Sequence, residues 1–381
     1  MILSLFFTRG VSLEQWSKQG LLDREKLIYE EHLLQGNLQK VYWFTYGSND
    51  KLLSQELKNK NILHQNIEIF EMPKIFNIPK IGSYIYSIVL PLIYKDKLKN
   101  SDILKTNQTD GCWSALMAKK LYGKKLLYRT GFTMSKLENK LKRFNIIIRK
   151  IIEIIEKTTY RHCDMAIVTS RHDLDYILNR YKIDKRKARV VYNFIDRDKF
   201  YDFKKERENK VLFVGRLSKE KNIFNLIKAL SAANLPIEIY GSGPLQESIQ
   251  TFITKNGYKA TLMSNIPNKL LPEVLNNAKY FTLVSEHEGM PKALLEGMAC
   301  GCICIGTNVA GINEIIDDKS GILSESTSYE DIKKAFLRAK NLTQEEIEDM
   351  KQYAKKLIDN NFSLKSAVEK EARILQELRD E

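Results

Sequence analysis

Apolar and polar positions along the chain fall into two kinds of run. Short apolar runs at residues 2–7, 41–46, 67–70, 103–106, 126–128 and 165–169 have the length of buried strands. Longer amphipathic stretches alternate with them, over 13–34 and 113–122. The rhythm restarts at 211–214 and continues through 223–233, 237–240, 245–256, 280–284, 292–299 and 302–305. A β-α alternation that runs twice predicts two α/β units, each built on a parallel sheet. Between them, residues 196–210 are charged and poor in apolar positions, so the boundary is expected there. The last amphipathic stretch, 362–378, predicts a closing helix.

The chain has 381 residues, 43% of them hydrophobic and 28% charged, which suits a globular protein with large cores and excludes a disordered or collagen-like one. No apolar run approaches the roughly 18 residues that span a bilayer, so no transmembrane helix is expected. The run at 2–7 has no basic residues before it and no small-residue cleavage site after it, and reads as a first strand rather than a secretory signal. The expected location is the cytoplasm, with peripheral attachment to the inner face of the membrane. Five cysteines make a disulfide framework an unfitting reading. Cys300, Cys302 and Cys304 read as buried strand thiols rather than metal ligands, because no His or acidic cluster completes a tetrahedral set.

Net charge changes the picture through where it lies. Residues 1–198 hold 35 basic and 21 acidic side chains, a net of +14, whereas residues 199–381 hold 26 of each. The first half therefore reads either as an attraction for an anionic partner, an anionic membrane surface or a phosphorylated glycan, or as an ordinary solvated basic surface. Nucleic acid is not expected, since no nucleic-acid-binding motif is present. Residues 135–160 mix Lys136, Lys140, Lys142, Arg143, Arg149 and Lys150 with isoleucines, and read equally as an interfacial helix or as a core helix with a basic outer face.

Candidate chemistry sits on loops after strands, where open parallel sheets bind ligands. FVGRLSKEKN (213–222) places Gly215, Arg216 and Lys221 between a strand and a helix start, a setting for a diphosphate. YGSGP (240–244) supplies a glycine loop. EGMPKALLEGMACG (288–301) places Glu288 and Glu296 eight residues apart across a helix start, roughly 12 Å at the helical rise, the span of a nucleotide-sugar. Asp173-Leu-Asp175 follows Ser170 and reads as helix capping rather than a metal site.

These segments, with VVYNFIDRDKF (190–200) and IGTNVAGINEII (305–316), resemble group 1 (family 4) retaining glycosyltransferases of the GT-B fold. The resemblance covers most of the second half. It implies an α/β architecture of two Rossmann-like α/β/α domains facing across a cleft: an acceptor-side domain over 1–198, a nucleotide-sugar donor domain over 199–361, and a helix over 362–381 returning to the first domain. It further implies that Arg216 and Lys221 hold the diphosphate, that Glu296 binds the ribose, and that Glu288 lies by the transferred sugar. Gly215, Gly289, Met290 and Pro291 would line the sugar and phosphate pocket. No cofactor and no metal are expected, because the nucleotide-sugar is a co-substrate.

The first half matches the family less closely. Its Gly-rich loop is reduced to Thr8-Arg9-Gly10, and no acceptor-side histidine is evident, since His32, His64 and His162 read as helix or loop residues. Gly10, Arg129 and Gly131 are the acceptor-side candidates. The expected reaction is transfer of a sugar, UDP- or GDP-linked, to a cell-envelope glycan or lipid-linked acceptor of polysaccharide, capsule or lipopolysaccharide synthesis. The rivals are a GT-B epimerase or phosphorylase, and a non-catalytic basic scaffold on the membrane.

Overall fold

The structure is a computed structural model that describes residues 1–131, 133–138 and 146–380. Lys140, Lys142 and Arg143 lie outside the described residues. The chain divides into two compact units, Met1–Val191 with Ala367–Glu381, and Tyr192–Ser366. Passage from one to the other thus falls at Val191–Tyr192 rather than after Asp198.

The first unit carries β1 (Ile2–Phe6), β2 (Lys40–Phe44), β3 (Ile67–Phe70), β4 (Ile103–Thr106), β5 (Lys125–Thr130), β6 (Met165–Val168) and β7 (Ala188–Val190). Its helices are α1 (Leu13–Lys18), α2 (Leu22–Leu34), α3 (Asp50–Asn59), α4 (Gly82–Ile93), α5 (Lys95–Lys99), α6 (Cys112–Tyr122), α7 (Met134–Glu138), α8 (Ile146–His162) and α9 (Arg171–Tyr181). The strands form one sheet in the order β3-β2-β1-β4-β5-β6-β7, with every neighbouring pair parallel. The order reverses between β1 and β4, which makes that gap the switch point of the sheet. The single amphipathic stretch expected over 13–34 is two helices, because the chain turns at Gln19-Gly20.

The second unit holds β8 (Glu208–Val214), β9 (Ile237–Tyr240), β10 (Ala260–Met263), β11 (Ala278–Leu283), β12 (Ile303–Thr307) and β13 (Ile322–Ser324). Helices α10 (Ile223–Ala232), α11 (Gln246–Asn256), α12 (Leu271–Asn277), α13 (Lys292–Ala299), α14 (Tyr329–Lys340) and α15 (Gln344–Leu357) cover the sheet, and α16 (Leu364–Asp380) closes the chain. The order is β10-β9-β8-β11-β12-β13, again all parallel, with the switch point between β8 and β11.

Parallel strands are covered on both faces, so they read as unbroken apolar runs. Val211, Leu212 and Phe213 of β8 and Tyr280 and Phe281 of β11 are accordingly buried. The strands without such a run, β7, β10 and β13, are all at sheet edges. One side of an edge strand faces solvent, and Thr261 and Met263 of β10 are exposed. Among the cysteines only Cys304 lies within a strand; Cys300 ends α13 and Cys302 precedes β12. All three are buried, and burial pushes the Cys302 thiol up to about 11.

Helix α16 is held in the first unit by a buried charge pair, with Lys105 Nζ 2.5 Å from Glu371 Oε1. The two side chains are 1% and 0% exposed, and His32 Nε2 lies 3.5 Å from the same oxygen. Burial pushes the Glu371 carboxyl up, but Lys105 and His32 outweigh it and hold the group well below the carboxylate range. Burial draws the Lys105 ammonium below its usual value.

Candidate functional site

The second unit brings its candidate residues together at the β8/β11 switch point. Strand β8 ends at Val214, and Gly215 N–H donates to Tyr240 O at the end of β9, 3.0 Å away. The chain then passes exposed Arg216 and enters a short 3-10 turn, Lys219–Lys221, before α10. Leu217 N–H donates to Ser242 O, and a Cβ added to Gly243 would stand 2.4 Å from Leu217 O. Only glycine permits that approach, so the YGSGP loop backs the phosphate-loop candidate directly.

From β11 the chain runs through Ser285 to Pro291 without helical structure, and α13 begins at Lys292. Glu288 therefore lies outside the helix, and the spacing of roughly 12 Å from helical rise does not apply to the pair. Lys221 Nζ reaches Glu288 Oε1 at 2.5 Å, and Ser285 Oγ donates to the same oxygen at 2.6 Å. The two charged side chains are 16% and 12% exposed, so their attraction is only partly screened by water. Ser285 is fixed in turn by its carbonyl, which accepts from Thr307 Oγ1 at 2.6 Å. Glu286 N–H donates to Glu220 O at 2.8 Å and ties the two loops together.

Two further contacts set the backbone of residues 288–290. Gly311 has φ +84°, and a Cβ there would stand 2.3 Å from Gly289 O and 2.7 Å from Glu288 O. Asn193 Nδ2 donates to Met290 O at 3.0 Å. Glu296 sits in α13, buried to 7% exposure, and Gly297 after it packs against the Phe281 ring. The N-terminus of α13 has no side-chain cap, leaving its positive end available to an anion. Asn265, in the 264–267 segment, donates to Ser242 Oγ at 3.0 Å.

Reasoning from sequence placed Lys221 and Glu288 in separate roles and missed that they form an ion pair. Ser285 and Thr307, which orient the pair, were missed as well. Their signal is only that small hydroxyl residues stand at the ends of β11 and β12.

In the first unit the acceptor-side candidates are less convergent. Gly10 is an exposed turn residue with φ +79°. Arg129 belongs to β5, paired in register with Ile167, and not to the loop after a strand ending at Tyr128. Its charge acts on Lys105 and Tyr29. Gly131 does follow β5, and its carbonyl accepts from Thr169 Oγ1 at 2.9 Å. The residue missed there is Arg9: Nε and Nη2 make two hydrogen bonds to Asp110, at 2.9 and 2.8 Å, across the β1/β4 switch point. Ser170 takes the capping role, its Oγ accepting from Asp173 N–H at 3.0 Å, and the Asp173 carboxylate in that first turn lies 2.7 Å from Lys136 Nζ.

Known proteins place these two units. Residues 194–357 match the family model for glycosyl transferases group 1, and residues 34–199 match that for glycosyltransferase family 4. A Methanocaldococcus jannaschii glycosyltransferase, MJ1178, is 28% identical over 71% of this chain and 73% of its own length. A Campylobacter jejuni N-acetylgalactosaminyltransferase, named for a diphospho-undecaprenol-linked acceptor, is 26% identical over 55% of this chain and 59% of its own length. The fold matches that of Anabaena Alr3699/HepE, solved with UDP and glucose, at a TM-score of 0.74 and 14% identity over 99% of this chain and 100% of that one. Two parallel Rossmann-type sheets, with family matches that together run from 34 to 357, make this chain a member of the group 1 (family 4) glycosyltransferases of the GT-B fold.

Proposed function

We propose that this glycosyltransferase takes its sugar from a UDP- or GDP-linked donor bound at the β8/β11 switch point and transfers it with retention. The observation that carries the reading is the Lys221–Glu288–Ser285 cluster, set beside Arg216 and the uncapped start of α13. Arg216 and Lys221 supply cations to the diphosphate, and no metal ion is expected in this reading. As the bond from the anomeric carbon to the phosphate oxygen lengthens, negative charge grows on that oxygen. In this reading Lys221, already oriented by Glu288, and Arg216 stabilise that charge. Glu288 orients Lys221 and lies beside the sugar, while the Glu296 carboxylate accepts hydrogen bonds from the vicinal ribose hydroxyls. Gly215, Gly289, Met290 and Pro291 line the phosphate and sugar pocket through their backbone.

The acceptor in this reading is a glycan or lipid-linked glycan of the cell envelope, received by the basic first unit from an anionic membrane surface. The diphospho-undecaprenol-linked acceptor for which the Campylobacter relative is named and the +14 charge of residues 1–198 support it. Among the described residues no helix is long and apolar enough to cross a membrane, so attachment would be to the surface. A thermal-shift series with UDP, GDP, CDP, ADP and their sugars tests the donor, since a ligand that binds only the native state raises its stability by about 2.7 kcal/mol at a hundred times Kd. A shift with UDP or GDP sugars that disappears in Glu296→Ala supports the reading. No shift with any nucleotide overturns it and leaves the basic-scaffold alternative. The anomeric configuration of the product, read by proton NMR, decides retention.

A further inference from the structure

Two helices of the first unit turn apolar side chains to solvent. On α4, Tyr84, Ile85, Ile88 and Leu92 recur at three- and four-residue spacing and are exposed, while Tyr86 and Leu90 fill the core side. Helix α8 does the same with Ile147, Ile148, Ile151 and Ile154. A surface helix normally keeps such a stripe for the core, and contiguous exposed apolar surface marks a contact site.

Between these helices lies a cavity of about 420 Å³, in the size range of ligand pockets. Its walls are hydrocarbon and aromatic: Tyr84, Trp113, Ile148, Ile151, Ile152 and Ile155. Its polar lining is Arg9, Thr109 and Asp110, from the loops after β1 and β4. This is the switch point of the first sheet, where a ligand is expected. The Arg9 guanidinium lies over the Tyr84 ring at 3.7 Å and spends three of its five N–H donors on Asp110 and Ser83. Two donors remain for a head group.

The lining chooses between occupants. A bare glycan would set hydroxyl groups against isoleucine walls with no partner, which is costly. A plain hydrocarbon would waste the Arg9–Asp110 end. An amphiphile with an anionic head satisfies both. Helical spacing sets the exposed Lys150, Lys157 and Arg161 of α8 beside the exposed Ile147 and Ile154, where they face an anionic membrane surface rather than the chamber.

We propose that this chamber holds the hydrocarbon chain of a phosphate-bearing lipid acceptor, with its head at the two remaining Arg9 N–H donors and its chain along Ile148, Ile151 and Ile152. The exposed rows of α4 and α8 then rest in the membrane interface from which the lipid is drawn. The proposal rests on the reading of the protein as a transferase acting on a lipid-linked acceptor, and assigns the residues that recognise the lipid.

The test uses the whole chain and the hexyl, octyl, decyl and dodecyl phosphates below their micelle concentrations, with emission of Trp113 as the readout and Trp113→Phe as the control that locates the signal. Affinity is expected to rise about fourfold for each added methylene until the chamber is filled, and then to level off. Inorganic phosphate is expected to leave the emission unchanged. The double substitution Ile148→Asn/Ile151→Asn changes side chains that are 44% and 50% exposed, so the fold should persist, as an unchanged thermal midpoint and unchanged UDP binding would verify. It is expected to weaken decyl phosphate at least tenfold. Affinity independent of chain length, or unmoved by the double substitution, overturns the proposal. Sugar transfer to a soluble glycan without any alkyl phosphate binding removes the chamber's role alone; chain-length dependence without nucleotide binding removes the transferase reading alone.

Discussion

The two sheets share one strand order around their switch points, 3-2-1-4-5-6 in each unit's own numbering, yet the loops at those points are opposites. At β8/β11 the site is polar and tightly interlocked, with Lys221, Glu288, Ser285 and Thr307 chained by hydrogen bonds and the backbone fixed through Gly311. At β1/β4 a single arginine-carboxylate pair borders a chamber of isoleucine and aromatic walls. A shared scaffold therefore does not determine a shared ligand chemistry. A nucleoside diphosphate brings the same charges and hydroxyls whatever sugar it carries, so its site is built from fixed donors and glycine contacts that leave a motif. An apolar chain is recognised by area alone, and many sequences supply that equally well.

The contrast can be broken most sharply at the charge pairs. Removing one partner of the buried Lys105–Glu371 pair leaves a buried charge alone, and Lys105→Met is expected to cost about 3–5 kcal/mol by chemical denaturation. Replacing both with methionine should recover most of that loss. Glu371 also sets an acid dependence. Its folded value lies below the unfolded one of about 4.3, so its contribution is complete above that pH and lost as pH falls through the folded value. Acid unfolding beginning near pH 4 should be blunted in Glu371→Gln.

At the second switch point, Lys221→Ala or Glu288→Gln should lower kcat by about 10²–10³, the scale of losing one fixed donor to developing charge, with the circular dichroism spectrum unchanged. If kcat holds and KM alone rises, the pair binds the donor without acting in the transition state. Gly311→Ala forces a side chain into a left-handed backbone position and against Gly289 O, and should cost about 1–3 kcal/mol of stability along with activity. Ser285→Ala removes one orienting hydrogen bond and should cost about 1 kcal/mol in kcat/KM. Smallest of all, Ile148→Asn/Ile151→Asn should leave stability within about 0.5 kcal/mol, since exposed apolar residues contribute little to folding. A large loss there would mean that α8 packs on the core and not on a lipid.

The central strands, and the loops that meet at the second unit's switch point, were legible in the sequence. Strands covered on both faces write long apolar runs, and the proposed diphosphate site writes Gly-Arg and Glu-Gly-Met-Pro at strand ends. The edge strands β7, β10 and β13 were not legible, because they are three or four residues long and mixed with polar or small residues, whereas β3, also at an edge, shows itself through Ile67, Ile69 and Phe70. Arg129 was misplaced because its strand ends on two polar residues, Arg129 and Thr130, which in sequence look like a loop.

By itself the sequence determined two parallel α/β units, the family, and which loops of the second unit carry charge, since all of these follow from periodicity and motif along one chain. Only the tertiary structure decided that Lys221 and Glu288 form one ion pair across 67 positions, that Arg9 reaches Asp110, and that Glu371 of the last helix neutralises Lys105. Each of these joins residues distant in the chain that meet only when strands are ordered in a sheet. Local patterns of residues carry no record of that order.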